Sequence, residues 1–301
     1  MSTAATIQAL VSGDAKVLAR SISLVENESA GYEALLQQLP VSETRITGIT
    51  GPPGAGKSTL VDALVEEQVR HNKRIGILCV DPSSPFHAGA LLGDRIRMNQ
   101  WYNHPNVFIR SLASRGSLGG LNPRMIEITE VMKAAPFDHI FIETVGVGQS
   151  EVEIASLADT TVVVLVPEAG DEIQSMKAGL MEIADVFVVN KADRPGADLF
   201  IKNLRAMLAP EFHRLSAPIV KTIASAKSGI AELTEKIEQH QVSAFPAEKK
   251  MLLLAEKSFQ LIQKKRMENI SRKDLVKAIK ETYSDKRFNL YRFVIDYLEK
   301  L

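Results

Sequence analysis

Residues 51–58, Gly51-Pro52-Pro53-Gly54-Ala55-Gly56-Lys57-Ser58, fill every fixed position of the pattern G-x-x-x-x-G-K-[ST], and Thr59 adds a second hydroxyl. The chemistry that suits this spacing is the grip of a polyphosphate. Glycines permit backbone conformations that turn successive N–H groups inward, and the helix that follows adds its positive pole. Gly54, Ala55, Gly56, Lys57, Ser58 and Thr59 are therefore the expected phosphate-binding residues. Lys57 is expected to reach the β- and γ-phosphates in a catalytic role, and the Ser58 hydroxyl to ligate Mg2+. A Gly/Pro turn without a ligand is the alternative. The motif's place between TRITGIT and VDALVEEQVR, a strand-like and a helix-like run, argues against it.

A second group reads the base. Asn190-Lys191-Ala192-Asp193 follows the apolar run DVFVV with the spacing N-K-x-D. A carboxylate at Asp193 accepts from both N1–H and the exocyclic amine of guanine. Adenine offers neither donor there and would leave a desolvated acid unpaired. Lys191 can lay its methylenes across the base and Asn190 can tie loops together. Ser225-Ala226-Lys227, after PIVKTIA, is expected to contact the guanine carbonyl through its backbone, so the nucleotide expected is GTP or GDP.

Acids after strands supply the metal candidates: Asp81 at the end of RIGILCVD, Glu143 at the end of HIFIE, and Asp94 in the loop DPSSPFHAGALLGDRIRM. Such acids hold magnesium or its water in many nucleotide sites. In ETVGVGQSE, the Gly146 N–H is placed to meet the γ-phosphate and to be released on its loss. Glu143 and Gly146 join Lys57 as the expected catalytic residues, and both loops are candidate switches. Gln149, His87 and Arg115 are loop residues without a distinctive signal, so hydrolysis by the chain alone is expected to be slow.

The elements that must position these groups alternate from residue 45 to 241. RITGIT, RIGILCV, NVFIRSL, HIFIETV, TTVVVLV, DVFVVN and PIVKTIA lack polar alternation, as strands buried on both faces do. The expected fold class is α/β: a three-layer P-loop nucleotide-binding domain with a mainly parallel sheet and ligands at the strands' carboxyl ends. Residues 1–44 and 242–301 read as helical extensions. Val17, Leu18, Ile22 and Val25 share one helical face, as do Tyr32, Leu35, Leu36 and Leu39. Ser271 with Asp274 suits a helix cap. The apolar face of FNLYRFVIDYLEKL either packs on the core or meets a second copy, and the residues leave both open.

The 301 residues carry 36 basic and 36 acidic side chains, a balance that argues against nucleic-acid binding. Cys79 is the one cysteine and its apolar surroundings suggest a buried strand position, so internal disulfides and multi-thiolate zinc sites are excluded. The longest apolar run, VVVLV at 162–166, is too short to cross a bilayer. No basic start precedes an apolar block at the N-terminus, and the expected location is cytoplasmic.

Taken together, DPSSPFHAGALLGDRIRM, SRGSLGG, ETVGVGQSE, PEAGDEIQSMKAGLMEIAD and VNKAD resemble the MeaB/ArgK-type GTPases, with similarity over about residues 15–230. That resemblance implies a homodimeric G-protein chaperone of an adenosylcobalamin-dependent acyl-CoA mutase, with GTP hydrolysis gating cofactor delivery, protection or reactivation. It also implies that Asp81, Asp94 and Glu143 serve the magnesium site and that Asp171, Gln174 and Lys177 sense the mutase. Two departures stand out: His87-Ala88 replaces a small hydroxyl residue and glycine, and Pro167-Glu168-Ala169-Gly170 adds a charge to a P-G-A-G segment. Two other function classes fit a phosphate loop. A metal-delivery GTPase would want clustered His and Cys, whereas the six histidines are scattered. A kinase of an amino-acid transport system is the other.

Overall fold

A computed structural model describes residues 2–81, 98–114, 121–144, 153–169, 179–208, 217–243, 247–283 and 288–299. Its seven strands are β1 Arg45–Thr50, β2 Ile75–Asp81, β3 Val107–Ala113, β4 His139–Glu143, β5 Thr160–Leu165, β6 Val186–Val189 and β7 Ile219–Lys221. They form one sheet in the order β3-β2-β4-β1-β5-β6-β7, and every pairing is parallel. Successive connections leave β1 towards β2 on one side and later towards β5 on the other. The carboxyl end of β1 is therefore the point where the strand order reverses, the place at which open α/β sheets bind ligands. Register fixes the level of the acids: Glu143 pairs with Ile49 on one side and Cys79 on the other.

Helices cover both faces. They are α1 Thr3–Val11, α2 Ala15–Glu26, α3 Tyr32–Gln37, α4 Lys57–Arg70, α5 Met125–Lys133, α6 Gly179–Ile183, α7 Ala197–Leu208 and α8 Ile230–Ser243. The period-two rule of strands divides the core: Ile75, Ile77 and Cys79 join α4, α7 and α8, whereas Leu78 and Val80 join α2 and α5 on the opposite face. Cys79 is buried, as its surroundings suggested. The N-terminal helices are thus part of the second face. Val17, Leu18, Ile22 and Val25 are buried there, and Asp14 caps α2 by accepting from the N–H groups of Lys16 and Val17 at 2.9 and 3.0 Å. Arg124, bonded to Glu28 and Glu127, pins that layer to α5.

At the amino ends of the strands, Asp138, Asp159 and Asp185 each precede a strand, and each carboxylate accepts from an N–H in or just before a neighbouring one: Arg74, Ile46 and Thr161 at 2.7, 2.8 and 2.9 Å. His139 is buried at this end, with Nε2 2.8 Å from the Thr47 hydroxyl. Burial drives its pKa down from 6.5 to about 3.

The chain divides into two compact units, residues 1–247 and 248–301. The second comprises nearly all of α9 Ala247–Arg266, together with α10 Arg272–Thr282 and α11 Leu290–Leu298. Ser271 caps α10, its Oγ accepting from the Asp274 N–H at 3.1 Å. Among the described residues of this unit no side chain is buried; Leu252, Phe259, Ile262, Leu290, Ile295 and Leu298 are all exposed. No described helix is long and apolar enough to cross a membrane.

Candidate functional site: a phosphate loop tied to two base-side loops

β1 ends at Thr50, and the chain turns through Gly51 at φ +139°, where a Cβ would stand 2.1 Å from the Val164 carbonyl oxygen of β5. Only glycine fits so close to a neighbouring strand. The loop closes at Gly56, φ +87°, the residue before α4, where a Cβ would lie 2.5 Å from Asn190 Nδ2. Both of the motif's fixed glycines are thereby explained by close approach as well as conformation.

Within the loop, the ammonium of Lys57 is buried and donates to the carbonyls of Gly51 at 2.8 Å and Pro52 at 3.0 Å. A buried charge needs such partners. The loop's own oxygens supply them where a polyphosphate would offer better ones. Ser58 Oγ donates to Glu143 Oε1 at 2.6 Å, and both residues are buried. A hydroxyl beside a carboxylate is the donor chemistry a hard dication takes, so Ser58 and Glu143 fit magnesium. The two strand ends are further joined by Thr144, whose hydroxyl donates to Thr50 Oγ1 at 2.9 Å. Thr59 is exposed at the start of α4.

The base-side loops are tied to this one. Asn190, 2% exposed, donates through Nδ2 to the Ala55 carbonyl at 2.9 Å. Its Oδ1 accepts from the Thr222 hydroxyl and the Ala224 N–H, both at 3.1 Å. Lys191, at φ +54°, sends Nζ to the Gly54 carbonyl at 2.7 Å. Asp193 stands exposed beside it. Ser225, Ala226 and Lys227 form an exposed turn closed by an antiparallel bridge between Ile223 and Ser228. The Ala226 and Lys227 amides already donate within it, to Ile223 O at 2.9 Å and Ala224 O at 3.1 Å. A guanine carbonyl arriving there would share one of them in a three-centre bond.

Glu168, the added charge in P-E-A-G, is ion-paired with Arg194, the residue after Asp193; that guanidinium holds its carboxyl below the usual range. Sequence reasoning had not found Thr222, Thr144, or the α4 acids Asp62 and Glu66. Asp62 accepts from the Trp101 indole N–H at 2.7 Å, and Glu66 meets Lys227. The structure thus brings together Gly54, Ala55, Gly56, Lys57, Ser58, Glu143, Asn190, Lys191, Asp193 and the 225–227 turn. Asp81 ends β2 two residues beyond the level of Glu143. Asp94, Gly146, His87, Ala88, Arg115, Gln149, Asp171, Gln174 and Lys177 lie outside the described residues.

A parallel sheet with a GKS loop after its central strand and an N-K-x-D loop bonded to that loop defines a P-loop GTPase. The chain belongs to the family described as methylmalonyl Co-A mutase-associated GTPase MeaB, whose model matches residues 18–282. A Pyrococcus horikoshii protein, provisionally named a GTPase, is 48% identical over 242 residues, 78% of this chain and 76% of that one. A Geobacillus kaustophilus protein named fused isobutyryl-CoA mutase is 40% identical over 204 residues, 64% of this chain and 19% of that one. Among solved structures, one titled LAO/AO transport system kinase superposes with a TM-score of 0.70 at 24% identity, over 99% of this chain and 96% of that one, a likeness of fold.

Proposed function

We propose that the chain is a GTP-hydrolysing chaperone that binds an adenosylcobalamin-dependent acyl-CoA mutase and gates the loading, protection or reactivation of its cofactor. The observation that carries the guanine half of this reading is the pair of bonds from the N-K-x-D loop to the phosphate loop, Asn190 to Ala55 O and Lys191 to Gly54 O. They join a base-reading acid to a phosphate cradle at fixed spacing. The mutase half rests on the family description, and on a relative whose mutase chain contains a stretch like this one.

In this reading Asp193 takes the guanine edge, with Lys191 and the 225–227 turn beside it. Lys57 exchanges the Gly51 and Pro52 carbonyls for β- and γ-phosphate oxygens. Ser58 and Glu143, with Asp81 and Asp94 as further candidates, would hold a magnesium ion, which would offset charge on the phosphates. Gly146 would sense the γ-phosphate, and Asp171, Gln174 and Lys177 the mutase. Hydrolysis by the chain alone is slow. The exposed apolar faces of α9–α11 suit a homodimer, because surfaces of that kind mark contacts between chains. Light scattering on the intact protein reads that directly.

A ligand shifts a partner equilibrium only by differential affinity. Titration of an adenosylcobalamin-dependent mutase is therefore expected to give different affinities with a GTP analogue, GDP and no nucleotide. Lys57→Ala should lose nucleotide binding and collapse the three values to one. Equal affinities for the unaltered protein in all three states would overturn the gating role. Release of free phosphate, as against its transfer to a protein acceptor, separates this reading from a transport-system kinase.

A further inference from the structure

We infer that Glu66, on α4, is a positioning residue for base recognition: it clamps Lys227, and with it the 223–228 turn, onto the helix that grows out of the phosphate loop. The inference rests on the guanine reading above. Lys227 Nζ meets both oxygens of Glu66, at 2.6 and 2.5 Å. Glu66 also takes Arg70 at 2.6 Å, so one carboxylate serves two cations. Its side chain is 18% exposed against 49% for Lys227, so the acid is the better anchored partner. The Lys227 hydrogen bond is the main reason its carboxyl stays below the ordinary range.

The backbone explains why a clamp is needed. Lys227 sits at φ +56° and Lys191 at φ +54°, left-handed conformations that a side chain with a Cβ adopts only with support. Each lysine sends its ammonium to the phosphate half of the site, Lys191 to the Gly54 carbonyl and Lys227 to Glu66. The two base-side loops are therefore each moored, by a cation, to the loop or helix that carries the phosphates. An ion pair in this position acts on a nucleotide only through the turn. It should matter for a base that uses the turn and be silent for one that does not.

The test compares GDP and ADP affinities of the unaltered protein with those of Glu66→Gln and the charge swap E66K/K227E. Glu66→Gln is expected to weaken GDP about three- to tenfold, the size of a charge-assisted pair that is partly screened, while ADP affinity stays where it was. KM for GTP rises by the same factor and kcat at saturation holds. The swap should recover most of the lost GDP preference, and salt raised from about 50 mM to about 500 mM should erode the unaltered protein towards Glu66→Gln. A Glu66→Gln protein with the full GDP-to-ADP ratio overturns the clamp, and so does an equal loss for both nucleotides, which marks a helix-stability effect. Should the unaltered protein itself bind GDP and ADP equally, the guanine reading falls and the clamp with it. The first two outcomes leave that reading standing.

Discussion

Replacing Asn190 by alanine would test the tie between the base and phosphate halves of the site. The side chain makes three hydrogen bonds in a place that is 2% exposed: to Ala55 O, from Thr222 Oγ1 and from Ala224 N. Truncation leaves each of those partners without its bond in a buried position. At about 1 kcal/mol per net bond, the expected loss of stability is about 3 kcal/mol, more if the Ala224 amide stays dry. Urea unfolding of the ligand-free protein reads that number. The affinity for GDP should fall at least about tenfold, because the Ala55 carbonyl fixes the loop that must present its amides. Thr222→Val supplies the control. Alone it should cost about 1 kcal/mol, and in the Asn190→Ala background much less, since the partner is already gone. If Asn190→Ala unfolds within about 0.5 kcal/mol of the unaltered protein and binds GDP as well, the bonds do not hold the site together.

Two further outcomes follow from other parts of the molecule. Asp193→Asn should narrow the preference for guanine over adenine nucleotides by roughly 10²-fold or more, since a site built to pair a polar edge rejects one that cannot pair; competition binding of GDP and ADP measures it, and an unchanged ratio removes Asp193 from the base site. His139 should make the fold acid-sensitive. Its folded pKa, about 3, lies below the ordinary 6.5, so its contribution is complete above pH 6.5 and drains away as pH falls towards 3. Between pH 7 and pH 4.5 that is roughly 2–3 kcal/mol, and His139→Gln should flatten the unaltered protein's pH slope by about that amount. Parallel slopes for the two proteins would show that His139 is not held neutral.

What could be read without coordinates was whatever is coded locally. The strands announced themselves through clusters of β-branched and other apolar residues, most plainly in β5 and β6, which are buried on both faces, whereas the edge strands β3 and β7 are only partly buried. The GKS and N-K-x-D loops did so because phosphate and guanine each demand several residue types within a few positions. What could not be read depends on contacts far apart in sequence. Asp138, Asp159 and Asp185 look like ordinary turn acids, yet their carboxylates bind N–H groups in or just before strands, 64, 113 and 24 residues away. Asp62 and Glu66 are spaced for a solvated helix face. Only the packing of α4 against the 99–101 and 224–226 turns gives them Trp101 and Lys227 as partners. Thr222 is a single hydroxyl in an apolar strand end, and nothing local distinguishes it from a core threonine.

The bonds around the phosphate loop are of two kinds, and the difference bears on how a lost phosphate becomes a movement. Asn190 and Lys191 hold the carbonyls of Ala55 and Gly54 from the base side, and no phosphate competes for those oxygens, since both are acceptors. Lys57 and Ser58 are committed to Gly51, Pro52 and Glu143, and these are the contacts a triphosphate and its magnesium would claim. A nucleotide bound as proposed would therefore leave the base half moored and change the partners of Lys57, Ser58 and Glu143 at the start of α4 and the end of β4. Glu143 stands at the end of β4, immediately before Thr144. A change in what Ser58 and Glu143 bind would thus bear on Thr144 and its bond to Thr50, while Asn190 would keep its hold on Ala55.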